Sequence, residues 1–158
     1  MNPFAHPRVG VAAIIQRKDG RIIVGERLNS HGAGTIQLPG GHLEFGESFS
    51  ECAERETLEE TGLRVRAAGD VAAVTNDVFG DLGKHYITVF VRCEMEDADA
   101  VPVTMEPEKC AGWSWATWSE VRAINAAAKG LAAGAKGARL FLPLQNLVEQ
   151  NPEFGASG

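Results

Sequence analysis

The sequence predicts an α/β (α+β) fold, a mixed central sheet held between helices, on three observations. Short apolar runs alternate with polar turns bearing glycine or proline between Val9 and Trp115. One of these runs, Val9 to Ile15 (VGVAAII), is almost uninterrupted, which fits a strand covered on both faces. Three helical segments interrupt and follow the strands, the order expected of a layered mixed fold.

Each element has its own signal. After the first strand, Lys18-Asp19-Gly20 makes a hairpin turn into a second strand, Arg21 to Leu28, with Ile22, Ile23 and Val24 at its centre. Asn29 to Gly34 is a polar loop. Thr35 to Leu38 is short and extended, and Pro39-Gly40-Gly41 ends it. A helix follows from about Ser48 to Thr61: Ser48 and Glu51 form a capping box, and Gly62 is the stop. Arg64 to Asn76 reads as strand, Asp77 to Lys84 as loop, and His85 to Glu94 as an alternating strand. Asp97 to Lys109 is an acidic, proline-bearing loop, and Trp113 to Trp115 a short strand. Trp118 to Ala128 is helical, capped by Thr117 or Ser119. Ala126 to Ala138 is low-complexity Ala/Gly with two lysines, a flexible or partly helical insertion with no assigned chemistry. Leu140 to Gln150 is a last amphipathic helix carrying Phe141, Leu144 and Leu147, and the closing NPEFGASG is expected to fray.

The whole chain sets outer limits. Its 158 residues show no repeat, so one domain spanning 1–158 is expected. The net charge of -6 argues against binding bulk nucleic acid through a broadly basic surface. Three scattered cysteines, Cys52, Cys93 and Cys110, read as reduced thiols. No apolar run approaches the roughly 18 residues of a membrane span, and the N-terminus lacks a signal pattern. A soluble, cytoplasmic protein is the expectation.

The chemistry concentrates between Leu38 and Leu63. On the predicted helix, at about 100° per residue, Glu56 and Glu60 fall on the stripe of Phe49, Cys52 and Ala53, with Glu59 beside them. Carboxylates on a buried stripe are costly unless something positive meets them. Arg55 neutralises only part of that charge, and three hard oxygen ligands on one face suit Mg²⁺ or Mn²⁺ better than zinc. The alternative is an ordinary solvated acidic helix, and the spacing decides against it. Gly41, Glu47, Arg55, Glu56, Glu59, Glu60, Gly62 and Leu63 fit the Nudix box, G-x5-E-x7-R-E-U-x-E-E-x-G-U, over residues 41–63. Thr57 stands where a bulky aliphatic is expected; its shape is close to valine.

The chain therefore resembles the Nudix hydrolases. LPGGHLEFGES, VTNDVF, HYITV, MEPEKCAGWSW and LFLPL are similar, in order, to segments of the plant cytosolic Nudix hydrolase 1 and animal MutT-homologue-2 group. The resemblance implies the Nudix α/β/α sandwich, Mg²⁺ as cofactor, a homodimer, and hydrolysis of nucleoside triphosphates, 8-oxo-dGTP among them, to monophosphate and pyrophosphate. By position it implies a metal shell of the Gly40 carbonyl, Glu56, Glu59 and Glu60, completed by Glu106 or Glu108. Arg55 orients the glutamates and Glu47 pairs with it; Glu56 or Glu59 serves as base. Arg27 and His42 resemble phosphate contacts, and Thr88, Phe141, Leu142 and Leu144 resemble a base pocket. Leu142 departs from the aromatic residue of the relatives, which weakens stacking on that side.

Two other functions remain open on the residues alone. One keeps the chemistry on ADP-ribose, a nucleotide sugar, dihydroneopterin triphosphate, a prenyl diphosphate or capped RNA. The other is a nucleotide sensor that no longer cuts, against which the intact Glu56, Glu59 and Glu60 argue. His6 and His31 read as surface histidines, His85 equally as a ligand-facing or a satisfied strand residue, and Trp113 and Trp115 as packing.

Overall fold

The computed structural model describes residues 6–28, 31–132 and 134–155. The remaining residues of the polar loop, of the Ala/Gly segment and of the two termini lie outside that description. Eight strands and three α-helices follow one another: β1 (Arg8–Ile15), β2 (Ile22–Arg27), β3 (Thr35–Gln37), β4 (Gly40–His42), α1 (Phe49–Thr61), β5 (Val65–Phe79), β6 (Lys84–Met95), β7 (Cys110–Ala116), α2 (Trp118–Lys129), β8 (Arg139–Leu140) and α3 (Leu142–Gln150). A single 3-10 turn, Gly80–Leu82, joins β5 to β6.

The strands form two four-stranded mixed sheets. One has the order β4-β1-β6-β5, the other β7-β2-β3-β8. The pairs β1–β6 and β3–β8 are parallel and the rest antiparallel. β1 explains its own composition. Val11, Ala13 and Ile15 face a core shared with Cys52 and Ala53 of α1, while Ile14 faces a second core with Trp118 and Val121 of α2 and Leu144 and Leu147 of α3. A strand buried on both sides has no polar face to alternate with.

Both capping boxes form. Ser48 accepts from Glu51 N–H while Glu51 reaches back to Ser48 N–H, and Thr117, rather than Ser119, plays the same part with Glu120. Gly62 ends α1 at φ 71°. Thr57 fills its aliphatic slot at 0% exposure, but its hydroxyl has no hydrogen-bond partner among the described residues. Phe49 departs from the expected stripe: it is 40% exposed at the first turn, and Thr57 and Thr61 are buried in its place.

Several boundaries differ from the sequence reading. Pro39-Gly40-Gly41 does not simply break the chain, since Gly40–His42 pairs antiparallel with Gly10–Ala12 of β1. The expected loop from Asp77 to Lys84 shrinks to the 3-10 turn, because β5 runs on through Phe79 against His85 and Lys84. Leu140 and Phe141 are not helical: Leu140 pairs with Ile36, and Phe141 caps α3. The C-terminal segment is pinned as far as Gly155. Arg122 donates to the carbonyls of Val148 (3.0 Å), Asn151 (3.1 Å) and Phe154, and the Phe154 ring meets Trp118 edge-on at 5.1 Å. The three cysteines are free thiols, all buried. No helix is long and apolar enough to cross a membrane.

Candidate active site

α1 lies across β4, so its glutamates meet a strand made of two glycines. A Cβ on Gly41 would collide with the Glu56 carboxyl, and one on Gly40 with the Val11 carbonyl. The glycines let helix and strands close on one another. Gly40 N–H donates to Glu60 Oε1 at 3.1 Å.

Arg55 organises the acidic face. Its Nε and Nη2 grip Glu47 Oε2 and Oε1 at 2.6 and 3.0 Å, a bidentate pair. Nη1 reaches Glu56 Oε1 at 2.8 Å and Glu59 Oε2 at 3.3 Å, and Nη2 also donates to the His42 carbonyl at 3.2 Å. This grip holds the Glu47 carboxyl down at about 2 and raises Arg55 itself. Glu60 has no such cation. Burial, opposed in part by the Gly40 N–H and reinforced by Glu56 and Glu106, pushes its carboxyl up to about 8. A metal-free site at neutral pH therefore keeps a proton on Glu60.

A cavity of about 520 Å³ opens beside these glutamates. Glu56, Glu60 and Glu106 line one end together with Gly40 and Lys109. Aromatic rings line the other. His42, Tyr86 and His31 lie nearly parallel, at 5.5 Å and 4° and then 5.9 Å and 6°. Phe79 meets His31 edge-on at 5.0 Å, and Phe141 tilts against both. Arg27 lies over the Phe141 ring at 3.9 Å and donates to Gln37 Oε1 at 2.6 Å. Burial, then the charges of Arg27, Lys84 and His42, lower the His31 ring to about 4. It is a neutral aromatic face at pH 7.

Of the residues singled out in the sequence, Gly40, Glu56, Glu60, Arg27, His42, Thr88, Phe141 and Leu144 all border this cavity, as does Glu106. Glu59, Leu142 and Glu108 lie outside its wall. Glu59 turns outward, its side chain 54% exposed, because the turn of α1 carries it toward Arg55. Leu142 opens α3 and leaves its place in the wall to Pro143 and Leu144. Accordingly, among the described residues no three carboxylate, imidazole or thiol groups already close on a common point. His31 is not a surface histidine but part of the aromatic wall, and His85 is satisfied by Asn76 Oδ1. Trp113 packs, donating to the Glu60 carbonyl at 3.1 Å, and Trp115 stacks under Arg17. The sequence reading missed Tyr86 and Phe79. Tyr86 had a signal: two residues before Thr88 on an alternating strand, it must share Thr88's face.

The donor set fits a hard divalent cation: Glu56, Glu60 and Glu106 offer only oxygen, and the elevated Glu60 marks where positive charge is lacking.

The family model described as the NUDIX domain matches residues 6–137. The chain is 45% identical over 60 residues to an ADP-ribose pyrophosphatase of Methanocaldococcus jannaschii, a match covering 38% of this chain and 35% of that protein. It is 32% identical over 113 residues to a MutT-like protein of Streptomyces ambofaciens, covering 72% and 66%. The chain thus spans about a third and just under two thirds of these two relatives. The crystal structure of the MutT protein from Methanosarcina mazei superposes at a TM-score of 0.70 with 23% identity, covering 96% of this chain and 97% of that one.

Proposed function

This chain belongs to the Nudix family, and from that premise we propose that it is a Mg²⁺-dependent pyrophosphohydrolase converting nucleoside triphosphates, oxidised purine forms included, to monophosphate and pyrophosphate. One observation carries the reading: a carboxylate cluster and an aromatic wall face each other across one cavity of about 520 Å³, within the range of small-molecule sites. A phosphoanhydride chain fits the first and a flat base the second. Residues 1–158 form the one domain that does this work.

The chain's own groups divide the task. The Gly40 carbonyl, Glu56 and Glu60 would hold the cation, with Glu59 or Glu106 completing the shell. When bound, the cation supplies neutralisation of phosphate charge and a more acidic water. Arg55 holds Glu56 through Oε1 and fixes its direction. Glu56, inside the cavity, accepts the proton of the attacking water; Glu59, turned outward, is the less suited base. Lys109, tied to Glu106 at 3.1 Å, brings positive charge to the phosphate end. Arg27 braces Phe141, so its part in binding runs through the ring it covers.

A second reading is the same chemistry on ADP-ribose, favoured by the likeness to the archaeal pyrophosphatase. A hydrolysis panel with product identification separates the two, with Glu60→Gln as the blank. It compares dGTP, 8-oxo-dGTP, dCTP, ADP-ribose and dihydroneopterin triphosphate at equal Mg²⁺. Monophosphate plus pyrophosphate from a nucleoside triphosphate, reduced about 10² to 10⁴-fold in the blank, is the expected result. Turnover of ADP-ribose alone would move the function to the second reading. No turnover of any compound would overturn the enzyme.

A further inference from the structure

Behind the cavity wall sits a buried carboxyl group that the chemistry above does not use. Asp77 on β5 has no exposed surface. Its Oδ2 lies 2.6 Å from the Thr88 hydroxyl and 3.0 Å from the Thr75 hydroxyl. Its Oδ1 accepts from Asn146 Nδ2 of α3 at 2.9 Å. The β5–β6 register sets Thr75 opposite Thr88, which brings both hydroxyls to one oxygen. A carboxylate only accepts, so both hydroxyl protons point inward. Thr88 is also a wall residue of the cavity, 6% exposed. With its proton given to Asp77, its oxygen has only lone pairs left for a ligand. The neighbouring strand keeps that side open: Thr88 pairs with Gly10, where even a Cβ would stand 3.9 Å from Thr88 Oγ1.

The geometry points to Asp77 as a positioning residue that fixes Thr88 as a hydrogen-bond acceptor, so that the cavity selects a base presenting an N–H at that edge. The inference rests on the nucleotide reading above. Two sources share this chemistry. One is an exocyclic amino group; the other is the ring N–H that oxidation at C8 places on N7 of a purine. A base offering a lone pair there leaves two acceptors facing each other out of water, which costs on the order of tenfold to a hundredfold in affinity.

The test is metal-free calorimetric binding of matched monophosphates that differ by one N–H: dAMP against purine deoxyribotide, dGMP against dIMP, and 8-oxo-dGMP against dGMP. The first two pairs report an amino group and the third reports N7. In the wild type, the N–H-bearing member of at least one pair binds tenfold or more tightly. Thr88→Val, which removes the hydroxyl at nearly constant shape, abolishes that preference. In Asp77→Asn, Asn146 keeps the amide oxygen at Oδ1, so the new NH₂ meets Thr88 and frees its proton toward the cavity. The preference then falls or, for the N7 pair, reverses. A merely structural role for Asp77 predicts equal weakening of both members of every pair, and that result would overturn the inference. So would a wild type that binds all the monophosphates without discrimination, which leaves the nucleotide reading standing. Failure to bind any of them would overturn both.

Discussion

Thr57 shows how a single side chain can satisfy a packing slot and still cost stability. Its methyl group serves the buried face of α1, while its hydroxyl is enclosed without a partner. Thr57→Val should therefore stabilise the fold by about 1–2 kcal/mol, read as a higher midpoint in urea; an unchanged or lower midpoint would mean the hydroxyl is satisfied. Glu60 is the opposite case, a charge kept for use at the expense of the metal-free fold. Its carboxyl, ordinarily near 4.5, is raised to about 8. The stability it contributes is present below pH 4.5 and is lost as pH rises to 8, since the folded state then gives up a proton it prefers to hold. In a chelator, Glu60→Gln should melt a few degrees above the wild type at pH 8.5, and the gap should close at pH 5. A gap of equal size at both pH values would disprove the proton on Glu60. The residue-level chemistry was legible in the sequence because the box fixes both spacing and residue type. Which glutamates face inward was less so: ideal helical angles put Glu59 about as near the stripe as its neighbours, and only the bond to Arg55 decides that it turns out.

At the scale of the element, β4 is the departure with the most consequence. Pro39, Gly40 and Gly41 read as a break because glycine and proline weaken strands. Here the missing side chains let α1 and β1 approach from the two sides. Gly41→Ala should displace the Glu56 carboxyl and lower kcat about a hundredfold, with the melting temperature changed by only a few degrees. Near-normal turnover would show that Glu56 can shift without loss. The extension of β5 and the short β8 were hidden for a related reason. Asp77 looks like a loop residue until Thr75, Thr88 and Asn146 surround it, and Leu140 continues the apolar period of α3 until Ile36 claims its backbone. Both depend on partners distant in sequence, which a local pattern does not contain.

In the molecule as a whole, the cavity is assembled from β1, β4, β6, α1 and the start of α3, so the position of α3 matters to its shape. Arg122 ties α2 to the carbonyls that follow α3. Arg122→Ala should cost about 2 kcal/mol and roughly 4–8 °C in melting temperature, measured by calorimetry. A change under a degree would make the tie incidental. The layered architecture was readable from β1 alone, whereas the tethered C-terminal segment was not, since its only anchor is one arginine nearly thirty residues away. The same burial that builds the cores has a consequence for chemical durability. Cys52 and Cys93 are held at about 12 and Cys110 is also raised, each chiefly by removal from water. The thiolate is the form that peroxide and alkylating agents attack. The folded protein should keep its activity in peroxide and resist iodoacetamide until it unfolds, so that a cell losing its nucleotides to oxidation would not lose this protein with them.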